Sequence, residues 1–128
     1  MAEQKHILIV EDEAHLAHGI KFNLDDEGYL TSIAPDGPTA LRLIDEIPSI
    51  GLVILDLMLP GMSGYAVCEA LRQSGNHVPV LMLSARNTAT DSVFAKANGA
   101  SAFVSTVEGE FDHPERGLVA TVRRLLNG

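Results

Sequence analysis

Hydrophobic and polar positions alternate along the chain in blocks. Ile7-Leu8-Ile9-Val10 runs into Glu11-Asp12-Glu13, and Leu52-Val53-Ile54-Leu55 runs into Asp56, Leu57-Met58-Leu59 and a Pro60-Gly61 turn. Short runs rich in Val, Ile and Leu predict strands buried on both faces, and the first charge marks the rim of a parallel sheet. Between such runs, apolar residues recur at helical spacing. Leu16, Ile20 and Leu24 predict a first helix with its inward face, stopped at Gly28. Strand two is expected near Tyr29 to Ala34. A second helix starts around Asp36-Gly37-Pro38-Thr39, carries Leu41 and Ile44 inward and runs to about Ile47. Ser63 is placed to cap a third helix bearing Val67 and Leu71, ended by Ser74-Gly75-Asn76. Strand four is expected from Val78 to Leu83, with Pro79 tolerable only near its start. A fourth helix from Thr90 to Asn98, a short strand near Ala102 to Val104, and a last helix entered at Pro114 with Leu118, Val122 and Leu125 on one face complete the pattern.

Five strand and helix pairs in alternation predict an α/β fold, a doubly wound five-stranded parallel sheet flanked by five helices. Right-handed crossovers and short connections favour the order 2-1-3-4-5, which makes strands one and three neighbours and sets both acidic ends at the switch point. Glu11, Asp12 and Asp56 then converge. At about 6 Å and an effective dielectric near 20, each carboxylate pair repels by roughly 2–3 kcal/mol, so the cluster calls for a cation, a proton or distance. A site for a hard divalent ion follows.

Composition narrows the function. With 128 residues the chain fits one domain, 1–128, without repeat or low-complexity segment, and its 46% hydrophobic and 20% charged content is that of a globular protein. The expected address is cytoplasmic: no apolar stretch is long enough to span a membrane, and Met1-Ala2-Glu3-Gln4-Lys5 is unlike a secretory signal. A net charge of −8 with nine Lys and Arg argues against direct nucleic-acid binding. Cys68 is single, which excludes an internal disulfide. His15 and His18, at i and i+3, lack a nearby third ligand and are expected on the surface. Asp12-Glu13-Ala14-His15 spells a helicase box by accident, since no Gly-rich phosphate loop ending in Lys accompanies it.

Four motifs at the expected positions carry a resemblance over essentially the whole chain. Val10-Glu11-Asp12-Glu13, Asp56 with Met58 and Pro60-Gly61-Met62-Ser63-Gly64, Ser84-Ala85, and Gly99-Ala100 leading into Phe103 together resemble the response-regulator receiver domain of two-component signalling. The resemblance implies that Asp56 is a phosphoacceptor, served by a sensor histidine kinase or a histidine phosphotransfer protein. It implies Mg²⁺ held by Asp12, Asp56 and the backbone carbonyl of Met58, with Glu11 direct or through water. It further implies that Ser84 and Phe103 form a phosphate-sensing switch that alters the surface of the fourth helix, fifth strand and fifth helix. Such a domain is a signalling module that assists its own phosphorylation and dephosphorylation, not an enzyme acting on a separate substrate.

The chain departs from that pattern in two places. Receivers normally carry a lysine and a cis-proline three and four residues after the strand-five aromatic, where this chain has Thr106 and Val107. Arg86, two residues beyond Ser84, is the residue that could replace the missing charge. Ser101 and Ala102 stand where many transcription-factor receivers have two acids, which weighs against dimerisation by that face. An alternative reading follows from Thr106 and Val107: a degenerate receiver that keeps the fold as a phosphorylation-independent interaction module. A haloacid-dehalogenase-like hydrolase is set aside, because it needs a second Asp where Met58 stands. The last helix, ending at Leu125-Leu126-Asn127-Gly128, is where a linker to an output domain would begin.

Overall fold

The computed structural model describes residues 5–84, 96, 99–105 and 117–127. In chain order it contains β1 (His6–Val10), α1 (Ala14–Asp26), β2 (Leu30–Ala34), α2 (Gly37–Glu46), β3 (Ile50–Asp56), α3 (Gly64–Gln73), β4 (Val80–Ser84), β5 (Ala102–Ser105) and α4 (Leu118–Asn127). All strand pairs are parallel and the order is β2-β1-β3-β4-β5. The predicted sheet is therefore present. Four of the five predicted helices are among the described residues; the expected helix from Thr90 to Asn98 lies outside them except for Lys96 and thus has no structural account.

Each inner strand divides its side chains between two cores, as a two-residue period requires. Leu8, Val10, Val53, Leu55 and Met82 pack with Ala40 and Ile44 of α2 and Val67, Cys68 and Leu71 of α3. Ile7, Ile9, Leu52, Ile54, Leu81 and Leu83 face the other way, against Ala17, Ile20 and Leu24 of α1 and Leu118 and Val122 of α4. Cys68, the single cysteine of the chain, is buried and forms no disulfide. Among the described residues no helix is long and apolar enough to cross a membrane.

Caps fix where the helices begin. The Glu13 carboxylate accepts from the N–H groups of His15 and Leu16 at 3.2 and 2.7 Å, Asp36 accepts from Thr39 at 2.8 Å, and the Ser63 hydroxyl accepts from Ala66 at 3.2 Å. Gly28 follows α1 with φ +93°, a conformation that glycine adopts without a steric penalty.

Three local expectations shift. Leu16 is only half-buried, and Ala17 takes the inward position one residue on. Leu41 is likewise half-buried, while Gly37, Ala40 and Ile44 form the buried face of α2. β4 starts at Val80 instead of Val78, because the Val78 N–H bonds the Asn76 side chain at 2.9 Å and its carbonyl is taken by Arg72. At its other end β4 extends to Ser84, which pairs with Ser105.

Gly64 sets how closely α3 meets the end of β3. A Cβ there would lie 2.5 Å from the Asp56 carbonyl oxygen and 3.0 Å from the Leu57 Cα, so backbone would have to move. Gly19, exposed in the middle of α1, meets nothing within 4 Å. Opposite outcomes follow. Gly64→Ala is expected to cost about 1–3 kcal/mol by overpacking, and Gly19→Ala to stabilise by roughly 0.5–1 kcal/mol through helix propensity, both read from urea unfolding midpoints.

Candidate functional site

The acids reach one place because the ladder ends there. Val10 pairs with Leu55, and the next residues still bond across the sheet: the Glu11 N–H donates to Ala34 O at 3.0 Å and the Leu57 N–H to Leu83 O at 2.9 Å. Glu11 and Asp56 thus leave adjacent strands side by side. Carboxylate oxygens of Glu11, Asp12 and Asp56 all lie within 4.8 Å of one another, the one group of three or more such side chains found among the described residues. Glu11 is buried at 4% exposure, Asp56 half-buried and Asp12 exposed, so the cluster grades from protein interior to solvent.

A cavity of about 210 Å³ opens over this trio, lined also by Glu13, Leu16, Met58, Leu83 and Ser84. Leu16, which a purely helical stripe assigned to the core, instead forms part of the apolar wall. Backbone groups hold the acids in place. The Glu13 N–H donates to Glu11 Oε2 at 3.0 Å, and the Met58 N–H to Asp56 Oδ1 at 3.1 Å. The Met58 side chain is 67% exposed at the mouth. Ser84 is buried at the end of β4, one residue beyond Leu83, the partner of Asp56.

Burial dominates the electrostatics. Desolvation, reinforced by the negative charge of Asp56 and by hydrogen bonds with Asp56 and Asp12, raises the Glu11 carboxyl to about 8, against the opposing pull of the Glu13 N–H. Without a counter-charge Glu11 therefore keeps its proton at neutral pH. Three oxygen donors, with no sulfur or imidazole among them, are the donor set that hard divalent cations prefer. A cation would take the place of that proton, so the residues fit such an ion.

The remaining residues singled out from the sequence fall elsewhere. Phe103 is half-buried on β5, opposite Met82, and packs against the α2 and α3 core without lining the cavity. His15 and His18 are exposed on α1, as expected. Arg86 and Thr106 lie outside the described residues. Gly64, singled out with the Pro60-Gly61 turn, owes its place to its missing side chain, which lets α3 approach Asp56. One contributor had no clear sequence signal: Arg72, whose hydrogen bonds among the described residues all go to backbone carbonyls.

Comparison with known proteins agrees with this geometry. Residues 7–108 match the response regulator receiver domain family. The chain is 41% identical over 120 residues to the sensory transduction protein RegX3 of Mycobacterium tuberculosis, covering 94% of this chain and 50% of that protein. It is also 41% identical over 128 residues to the alkaline phosphatase synthesis transcriptional regulatory protein SphR of Synechococcus elongatus, covering 94% and 48%. The chain thus spans about half the length of these curated relatives. Among solved structures it is similar to a putative response regulator from Chloroflexus aurantiacus, with TM-score 0.86 and 27% identity over 98% of this chain and 100% of that one. Chemotaxis protein CheY4 of Vibrio cholerae follows at 0.83 and 26%, over 96% and 99%. Acids at the switch point of a 2-1-3-4-5 sheet and a likeness that runs through most of the sequence have one source: this chain belongs to the response-regulator receiver domain family.

Proposed function

We propose that this domain receives a phosphoryl group on Asp56 in two-component signal transduction. The observation that carries the reading is the convergence of Glu11, Asp12 and Asp56 within 4.8 Å beside Ser84 in one cavity. A carboxylate oxygen of Asp56 attacks phosphorus, the bond from phosphorus to the donor breaks, and its electron pair leaves with the donor. An acyl phosphate results. From a phosphohistidine the leaving group is the imidazole of a sensor histidine kinase or a histidine phosphotransfer protein. Such transfer depends on positioning and charge neutralisation more than on covalent assistance. The Met58 N–H orients Asp56 by its bond to Oδ1, leaving the second oxygen as nucleophile.

Mg²⁺, held by Asp12, Asp56 and the Met58 carbonyl with Glu11 direct or through water, would supply the neutralisation. Ser84 hydrogen-bonds the arriving phosphoryl oxygen, and Phe103 on the neighbouring strand registers the change. The altered surface around the fourth predicted helix, fifth strand and last helix is what a downstream effector or an attached output domain reads. On this reading the domain assists its own phosphorylation and dephosphorylation and is not an enzyme for a separate substrate. Arg86 takes over the charge that the family lysine provides where Thr106 stands; loss of adduct stability in Arg86→Ala tests that role. The degenerate-module alternative draws on Thr106 and Val107.

Intact mass separates the two readings. After incubation with Mg²⁺ and acetyl phosphate and an acid quench, the parent is expected to gain one phosphoryl group and Asp56→Asn none. A folded parent without adduct would favour the interaction module.

Stability against pH gives an independent check. The unfolded chain ionises Glu11 near its ordinary value of 4.5, whereas the folded chain holds the proton to about 8. The folded state binds more protons between those values, so Glu11 stabilises below the lower one and its contribution declines as pH rises toward the upper one, then levels off. In chelator, the unfolding midpoint is expected to fall from pH 5 to pH 8, more steeply than in Glu11→Gln. Mg²⁺ should flatten the difference, since it favours the ionised carboxylate; identical pH slopes for both proteins in chelator would contradict this.

A further inference from the structure

The Arg72 guanidinium, at the end of α3, is enclosed by backbone. Its Nε and Nη2 both donate to Gly99 O, at 3.1 and 2.7 Å, and its Nη1 donates to Asn76 O at 3.0 Å and Val78 O at 2.7 Å. All four bonds are charge-assisted and go to carbonyls of two separate stretches, one leading into β4 and the other into β5. Gly99 has φ +97°, and a Cβ there would lie 2.8 Å from Arg72 Cγ, so the site accepts little but glycine. Ser101 adds a second tie. Its N–H donates to Val80 O at 2.8 Å while its hydroxyl accepts from the Val80 N–H at 3.2 Å. The amino ends of β4 and β5 are therefore joined twice.

We propose that Arg72 is the positioning residue of the switch: it fixes the amino ends of β4 and β5 as one body, so that a change at Ser84 is read at Phe103. The inference rests on the phosphoacceptor reading above. β5 has four residues and borders only β4 in the sheet. A short edge strand is hydrogen-bonded along one side only, and one free to shift at its amino end would absorb a displacement at the carboxyl end of β4. With its amino end bolted at Gly99, β5 responds by tilting about that end. Phe103, four residues on and opposite Met82, is where the tilt changes packing.

The chain contains no tryptophan, so Phe103→Trp provides a single reporter. Arg72→Met and Arg72→Lys are made in that background and treated with Mg²⁺ and acetyl phosphate. Asp56 lies on β3, so Arg72→Met is expected to form adduct within about twofold of its parent, while the emission change per adduct falls by at least about half. Exchange of the Ser101 amide should quicken roughly tenfold while that of Ile54 is unchanged. Arg72→Lys should recover part of the emission change, since an ammonium reaches a carbonyl but cannot fork between two stretches. An emission change per adduct that is undiminished in Arg72→Met overturns the proposal even if Ser101 exchange quickens, because Arg72 would then be a staple without a role in coupling. If Arg72→Met does not fold, the same readings on Arg72→Lys decide. Absence of adduct on the unsubstituted chain would overturn the phosphoacceptor reading and the coupling with it, whereas adduct on every variant with full emission change overturns the coupling alone.

Discussion

Burial of the Glu11 carboxyl beside Asp56 and Asp12, at the edge of a low-dielectric sheet, is the constraint around which this domain is arranged. Strands buried on both faces bring Glu11 and Asp56 out of adjacent ladders, and Asp12 follows in the same turn. Nothing in the apolar strands below can solvate that charge. Glu11, the most enclosed of the three, holds its proton up to about 8. A divalent cation would shift this balance directly, by favouring the ionised carboxylate.

The rest of the fold serves to keep the three acidic side chains together. Helices α1 and α4 cover one face, α2 and α3 the other, and each inner strand contributes alternate side chains to both cores. Gly64 lets α3 approach the backbone of Asp56, and the Glu13 cap starts α1 directly beyond the cluster. Arg72 and Ser101 tie the opposite ends of β4 and β5. The site is therefore built at one rim of the sheet and braced at the other. Ser101 also gives physical content to a departure from the family pattern: where acids serve contacts between copies in many transcription-factor receivers, this hydroxyl bonds within its own chain.

Much of this was legible in the sequence because the signals were local. An apolar run ending in acid locates a strand end, and Asp36, Ser63 and Glu13 announce helix starts through bonds only two or three residues long. The trio could be inferred once the strand order was assumed. Phase errors arose where two residues compete for one face: Leu16 and Ala17 both fit an apolar stripe, and the smaller one is buried while the larger lines the cavity. Pro79 hid the start of β4, whose lead-in carbonyl at Val78 is bound by Arg72. Arg72 itself was illegible because its partners are backbone groups as far away as Gly99, which leave no mark in side-chain identity.

If Glu11, Asp12 and Asp56 together form one divalent-cation site, the unphosphorylated protein binds such an ion unaided. Calorimetric titration of the unphosphorylated protein with Mg²⁺, beside Asp12→Asn, tests it most directly. Saturable one-site binding is expected in the parent, with affinity weaker by roughly tenfold or more in the variant, where one charged oxygen donor becomes a neutral amide. Equal affinity in the two proteins, or no saturable binding in the parent, would contradict it.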